Sequence, residues 1–156
     1  LNDPDVGLVG LGARDALRLE AGLCLYGQDL SKDVTPVEAS LSWVISKRRR
    51  KEGNFPGFKI INEQLVNGIK KCRVGISPFG KAPARAGCEI FVNGDRKIGS
   101  ITSGGYSPTL ERPIAMGYVE EAFSKIGTEV LLSVRGKYLP AKVADLPFVS
   151  PKYFRK

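Results

Sequence analysis

Short β-prone segments separated by turn residues constrain the second half of this chain more than any other feature. Six of them recur at roughly ten-residue spacing, with glycine, proline or asparagine between them. The Asn93-Gly94 step between two such segments is typical of a tight β-hairpin. Short strands at this spacing predict a small antiparallel barrel or sandwich. The predicted strands are residues 71–77, 88–92, 97–103, 114–119, 129–134 and 138–143.

Helical spacing dominates the beginning of the chain. Residues 12–23 predict a helix with one apolar stripe made of Ala13, Leu17, Ala21 and Cys24. The threonine, proline and glutamate of residues 35–38 (TPVE) form the pattern of a capping box and predict a second helix that runs to about residue 43.

Arg14 and Arg18 are predicted to project from another face of the first helix. Like charges one turn apart are mildly unfavourable, and a cation in the first turn opposes the helix dipole. Such an arrangement suits a helix end that binds an anion. From the pattern alone, solvated arginines or a salt bridge to Asp15 or Glu20 are the more common explanation of such a pair.

A turn-rich stretch follows the helical part and predicts a domain boundary. Residues 52–57 (EGNFPG) break any helix. We therefore expect an α+β chain with a mostly helical part over residues 1–52, a linker over residues 53–68 and an all-β module over residues 69–156. Trp43, the only tryptophan, is expected in the core, and Tyr153 near the end indicates a tail that folds back.

Missing residue types exclude whole classes of function. The chain contains no histidine, so a Ser-His-Asp triad, a Cys-His pair and a histidine-ligated metal are excluded. Cys24, Cys72 and Cys88 are an odd set without a C-x-x-C motif, which indicates reduced, mostly buried thiols. The glycines of residues 7–12 do not make a dinucleotide motif, because Asp15 stands at its last glycine position. No apolar run approaches the ~20 residues that cross a bilayer.

The net charge of +8 indicates an anionic partner. Five consecutive cationic residues, 47–51 (KRRRK), are the strongest candidate contact. Such a run fits nucleic acid, although the aromatic side chains of a base-stacking surface are missing around it, and it fits an acidic protein as well.

Longer motifs resemble the glycine cleavage T-protein family. They are residues 12–22 (GARDALRLEAG), 25–27 (LYG), 35–38 (TPVE), 41–43 (LSW), Gly99, 102–104 (TSG), Ser107-Pro108 and 114–119 (IAMGYV). The likeness extends over nearly the whole chain, which begins at Leu1 without methionine. We therefore expect the C-terminal portion, under half, of a T-protein.

The resemblance implies a fold and an activity. It implies the end of a folate-binding domain, followed by a six-stranded antiparallel jelly-roll-like β-barrel. The family passes a one-carbon unit from the aminomethyl-lipoyl arm of the acidic H-protein to tetrahydrofolate and releases ammonia. Its cofactors include no metal, and no nucleic-acid or membrane partner is expected. The compartment is the cytoplasm in a bacterium, or else the mitochondrial matrix.

The resemblance also assigns residues. Arg14 matches the arginine that contacts folate, Tyr153 a C-terminal tyrosine near the same cavity, and Trp43 a tryptophan that lines it. The catalytic aspartate and the glutamate that reads the pterin lie upstream of Leu1 in the family, so we expect no catalytic residue in this segment and no activity from it alone. The alternatives are the folate domain of a dimethylglycine or sarcosine dehydrogenase-like protein, a folate-binding RNA-modification factor, or a basic RNA-binding barrel.

Overall fold

The computed structural model describes residues 3–152. Three α-helices precede six strands, and two short 3-10 turns occur at Ser42–Val44 and Glu121–Phe123. The helices are α1 (Leu11–Glu20), α2 (Lys47–Glu52) and α3 (Phe58–Asn67). The strands are β1 (Lys71–Pro78), β2 (Glu89–Val92), β3 (Arg96–Ser107), β4 (Arg112–Glu120), β5 (Glu129–Val134) and β6 (Lys137–Ala144).

The six strands close into one antiparallel barrel. Their order around it is β1-β4-β3-β2-β5-β6, and β6 pairs back onto β1. The α+β class and the six-stranded barrel are confirmed, and closure excludes the open sandwich. Alternate side chains point inward and form the core. Its fully buried members include Ile76, Ile90, Ile101, Leu132 and Val143.

Helix α1 lies on the outside of the barrel. Leu19 is 2% exposed and packs with Ile114 and Met116 of β4 in a second, smaller cluster. The helix prediction is confirmed, but the predicted stripe is wrong because Leu17 is 62% exposed. The buried face is instead the one that carries Leu19 and Glu20.

The predicted capping box forms without the helix that it predicts. The amide of Glu38 donates to Thr35 Oγ1 (3.2 Å), and the amide of Thr35 donates to Glu38 Oε2 (3.0 Å). Residues 36–40 nevertheless make only turns, and Ser40 has a left-handed φ of 58°, which ends helical geometry. The Glu38 carbonyl then accepts a hydrogen bond from the Arg73 amide (2.8 Å), so this turn is attached to β1.

The predicted linker contains a helix. α3 occupies most of residues 53–68, and the basic run forms α2, which begins at the N-cap Ser46 and ends at left-handed Gly53. Where one domain ends and the next begins stays a prediction.

The three cysteines are free thiols. Burial raises the pKa of Cys24, Cys72 and Cys88 above the usual thiol value, so all three stay protonated at neutral pH. None of the helices within residues 3–152 is long and apolar enough to cross a membrane.

Candidate functional site

Arg14 lines an open cavity between α1, the β3–β4 turn and residues 149–152. The cavity measures about 640 Å³ and has mostly apolar walls. No carboxylate within residues 3–152 pairs with Arg14. An unpaired guanidinium over apolar walls can bind an anionic ligand that also carries a hydrophobic part. The walls include Val9, Leu17, Leu23 and Val149, and Lys152 supplies a second cation.

Arg18 behaves differently from Arg14 although one helical turn separates them. Its guanidinium contacts Asp15 and Asp29, each at 2.6 Å, and the side chain is only 10% exposed. The predicted ion pair with Asp15 is therefore confirmed. Both arginines line the same cavity, in agreement with the prediction that they project together, but the charge of Arg18 is balanced by two carboxylates. Of the two arginines, Arg14 is the one whose charge no carboxylate of residues 3–152 balances beside the cavity.

Glu20 ends α1 as a buried carboxylate. It accepts hydrogen bonds from the hydroxyl of Ser107 (2.5 Å) and from the amide (3.1 Å) and hydroxyl (2.8 Å) of Thr109. Burial by itself raises the pKa of Glu20, but these hydrogen bonds outweigh it, and the net pKa lies below the usual value. The carboxylate therefore stays charged and fixes the end of α1 to the β3–β4 turn.

The C-terminal segment reaches the same cavity. The amide of Val149 donates to the Glu20 carbonyl (3.0 Å), and residues 149–152 line the cavity beside Arg14. The predicted site residue Tyr153 lies outside the described residues.

Trp43 lies on the surface, so its predicted core position is wrong. It belongs to the 3-10 turn Ser42–Val44 instead of an amphipathic helix, and it is 75% exposed. It lines a second cavity of about 460 Å³ that also contacts Ser40, Arg73 and Leu146. Arg14 and Trp43 thus line different cavities.

Leu23 and Ala21 line both cavities and join them along one surface. Sequence reasoning missed Leu23, which is 52% exposed. An exposed leucine just after a helix is a weak signal, because single apolar side chains are common on protein surfaces.

Arg73 of β1 was also missed. It is 7% exposed and donates to the carbonyls of Ala39 (2.9 Å) and Gly22 (3.0 Å) and to Met116 Sδ (3.1 Å). The carbonyls that accept these hydrogen bonds lie far from Arg73 in sequence, in loops beside both cavities. The Arg73 side chain therefore holds these loops against the barrel. A lone arginine in a strand pattern gives no hint of such a role.

Within residues 3–152, histidine, cysteine, aspartate and glutamate side chains form no group of three that could hold a metal ion. The surface described above therefore offers a free cation, apolar walls and fixed backbone, which suit binding and orientation of an anionic organic molecule.

Two family models match the chain. The first, described as the glycine cleavage T-protein C-terminal barrel domain, matches residues 71–150, and the second, described as the GCVT N-terminal domain, matches residues 2–49.

Curated relatives and a solved structure extend the similarity over nearly the whole chain. A mitochondrial aminomethyltransferase of Dictyostelium discoideum is 56% identical over 146 residues, which are 92% of this chain and 36% of the relative. The human mitochondrial aminomethyltransferase is 49% identical over 99% of this chain and 38% of its own length. The crystal structure of the glycine cleavage system aminomethyltransferase T from Bartonella henselae has a TM-score of 0.95 at 47% identity, covering 99% of this chain and 43% of that one. The chain thus spans little more than a third of the curated relatives.

Proposed function

The chain belongs to the glycine cleavage T-protein family, and from this membership we propose that it is the C-terminal portion of a tetrahydrofolate-dependent aminomethyltransferase. The whole protein would take the one-carbon unit from the aminomethyl-lipoyl arm of H-protein and pass it to tetrahydrofolate. The products would be 5,10-methylenetetrahydrofolate, ammonia and the dihydrolipoyl form of H-protein. All the curated relatives named above are mitochondrial, so we place the protein in the mitochondrial matrix.

The observation that carries this proposal is the uncompensated guanidinium of Arg14 beside an apolar cavity. Tetrahydrofolate has an aromatic body and an anionic glutamate tail. A guanidinium can hold a carboxylate through two parallel hydrogen bonds, and the apolar walls suit the aromatic part. Lys152 of the same cavity adds attraction for the negative tail.

We assign Trp43 and Tyr153 to the same ligand as secondary contacts. The cavity of Trp43 adjoins that of Arg14 through Ala21 and Leu23, so one extended ligand could contact both. Tyr153 follows Lys152, which lines the Arg14 cavity.

We propose that this segment binds and orients the substrate and leaves the chemistry to another part of the protein. We propose, as the family resemblance implies, that the catalytic aspartate and the pterin-reading glutamate lie upstream of Leu1. Holding two reactants in register lowers a barrier without any metal or histidine. Residues 1–52 would complete the folate-binding domain, residues 53–68 would connect it, and residues 69–156 would form the barrel domain.

H-protein is the proposed macromolecular partner, and the basic run is its proposed contact. Lys47, Arg48 and Lys51 are exposed on α2. Arg49 and Arg50 donate to nearby backbone carbonyls and thereby hold the local fold. The exposed cations of α2 would attract an acidic protein surface. The relatives' names favour neither a dehydrogenase-like protein nor an RNA-binding barrel.

Replacement of Arg14 tests the folate assignment. In the full-length protein that carries this chain, Arg14→Ala should weaken tetrahydrofolate binding by about 1.5–3 kcal/mol, the range for a hydrogen bond to a charged group. The dissociation constant can be measured by calorimetry. Arg112→Ala, which removes the same charge from the exposed start of β4, is the matched control and should leave the affinity unchanged. If Arg14→Ala and the control bind tetrahydrofolate equally well, Arg14 is an ordinary solvated side chain.

A further inference from the structure

A partly buried polar network joins α1 to the barrel one turn away from Arg14. Its members are Arg18 of α1, Asp29 of the following loop and Thr102 of β3. We infer that Asp29 and Thr102 are positioning residues, which act through Arg18 to hold α1 in the orientation that presents Arg14 to the carboxylate of the ligand. This inference rests on the proposed function, because it concerns how the proposed folate-binding arginine is oriented.

Asp29 is the centre of the network. Its side chain is fully buried, and each of its carboxylate oxygens has an assigned donor. Oδ2 accepts from Arg18 Nη1 (2.6 Å) and the Leu25 amide (2.9 Å), and Oδ1 accepts from the Thr102 hydroxyl (2.6 Å). A buried carboxylate is tolerated only with such partners, so its position defines the position of Arg18.

The backbone of Asp29 is fixed to the barrel as well. The hydroxyl of Tyr118 in β4 donates to the Asp29 carbonyl (2.8 Å). Burial raises the pKa of Tyr118 well above its usual value, so this hydroxyl remains a donor at every physiological pH. The loop therefore cannot shift without breaking contacts to both β3 and β4.

A β-bulge aims Thr102 at the network. Along β3, Ile101 pairs with Gly117 and Ser103 with Met116, so Thr102 is the extra residue without a partner of its own. Bulges redirect side chains and often occur next to functional sites. Here the bulge interrupts the regular alternation of side chains along the strand and directs the Thr102 hydroxyl toward Asp29.

A second attachment of α1 to the barrel, through Glu20, fixes the rotation of the helix about its axis. Glu20 fixes the last turn of the helix to the β3–β4 turn through Ser107 and Thr109. Arg18 holds the preceding part to Asp29 and Thr102. Two attachments half a turn apart set both the position and the rotation of the helix axis, and the direction of Arg14 follows from them because it projects one turn before Arg18.

The network also controls which cation faces the ligand. Arg14 and Arg18 both line the cavity, but Asp15 and Asp29 balance the charge of Arg18. Without the Asp29 contact, part of the charge of Arg18 would be left unbalanced in the cavity, where it would repel Arg14 and compete for the same carboxylate.

A double-mutant cycle in the full-length protein tests the inference. Thr102→Val removes the hydroxyl and preserves the shape of the side chain, and Thr102→Ser restores the hydroxyl. Thr102→Val should weaken tetrahydrofolate binding about 2- to 30-fold, the range for side chains coupled through a network. Thr102→Ser should bind almost as tightly as the parent. In an Arg14→Ala background, Thr102→Val should cause no further loss, because the residue that it positions is absent.

Amide hydrogen exchange separates this inference from the folate assignment. Thr102→Val should speed exchange over α1 while α3, which the network does not contact, stays unchanged. Equal losses of affinity in the Arg14 and Arg14→Ala backgrounds would show that Thr102 stabilises the fold without positioning Arg14, and would overturn the inference. Unchanged exchange over α1 would overturn it too, whatever the ligand. If Arg14→Ala alone leaves tetrahydrofolate affinity intact, the folate assignment fails and the inferred role for binding fails with it, while faster α1 exchange would still establish the mechanical link.

Discussion

Two carboxylates, Asp29 and Glu20, are buried between α1 and the outer face of the barrel. Asp29 has a guanidinium, an amide and a hydroxyl as partners, whereas Glu20 has two hydroxyls and an amide. Both contacts cross from the first part of the chain to the strands. At the scale of single residues, the candidate site therefore depends on two buried charges, each of which has at least one donor far away in sequence.

Glu20→Gln should destabilise this chain through the loss of a buried, hydrogen-bonded charge. Hydrogen bonds to a charged group contribute about 1.5–3 kcal/mol to the free energy of unfolding, and the amide of glutamine replaces only part of them. Urea unfolding at pH 7 gives the difference. Glu63→Gln, the same change on the exposed face of α3, should leave the free energy of unfolding within about 0.5 kcal/mol of the parent.

Glu20 should also make the free energy of unfolding depend on pH. The pKa of Glu20 is lower in the folded chain than in the unfolded one, so the unfolded state binds the proton more readily. The contribution of Glu20 to the free energy of unfolding is therefore fully present above about pH 4.3, the ordinary glutamate pKa. It is lost as the pH falls through the lowered pKa of the folded chain. The difference in unfolding free energy between parent and Glu20→Gln should shrink in that acidic range. A difference that stays constant from pH 7 to pH 3 would contradict the assigned cause.

The sequence predicts which residues belong to the site better than it predicts their hydrogen-bond partners and their exposure. Residues 14–18 give both arginines and the local partner Asp15, because an i,i+3 ion pair is visible in the pattern. Ser107 lies 87 residues from Glu20, and Thr102 lies 73 from Asp29, so no local pattern reveals those bonds. The exposure of Trp43 was missed for a related reason, since the capping box before it closes a turn and not a helix.

At the scale of elements, the strands were predictable because β-prone runs and the turn residues between them are local signals. All six occur within a few residues of their predicted bounds. β3 extends further than expected, to Ser107, through a stretch that contains Gly104 and Gly105. Glycine usually weakens a strand, and here it allows close approach, because a Cβ on Gly104 would lie 1.9 Å from the Ala84 carbonyl oxygen. Such backbone contacts are invisible in the pattern.

Gly99→Ala should destabilise the barrel. A Cβ at Gly99 would lie 1.9 Å from the carbonyl oxygen of Tyr118, so β3 and β4 would have to separate where they pair. Overpacking of this kind costs about 1–3 kcal/mol or more. The midpoint of thermal unfolding should fall accordingly.

Gly12→Ala is the matched control for that change. Gly12 lies inside α1, and apart from its chain neighbours and its own helix backbone no atom of residues 3–152 lies within 4 Å of a Cβ added there. The same substitution there should raise stability by up to about 1 kcal/mol, the difference in helix propensity. If Gly99→Ala unfolds at the same temperature as the parent, the strands tolerate a spacing that the structure does not show.

At the scale of the whole molecule, the net charge of +8 predicts the class of partner but not its location. The five cations of the basic run have different contacts in the structure. Arg49 and Arg50 donate to backbone carbonyls of Asn54 and Ile45, and Arg48 pairs with Glu52. Lys47 and Lys51 remain as exposed cations of α2 without an ion pair within residues 3–152.

Reversal of those two lysines tests whether α2 contacts H-protein. In the full-length protein, the combined change of Lys47→Glu and Lys51→Glu should raise the KM for aminomethyl-loaded H-protein, with each exposed pair contributing roughly 0.2–1 kcal/mol. The effect should fade as salt is increased, because exposed charges are screened beyond about 10 Å at 0.1 M ionic strength. Tetrahydrofolate affinity should not change, since neither lysine lines the Arg14 cavity.

Lys137→Glu combined with Lys142→Glu makes the same change of net charge on β6 and serves as the control. A partner that docks on α2 responds to the first pair of substitutions and hardly to the second, because short-range charge contacts depend on position. Equal increases in KM from both pairs would mean that H-protein senses only the overall positive field of the molecule. The basic run would then be a solvated surface, and its arginines would serve only the local fold of residues 42–54.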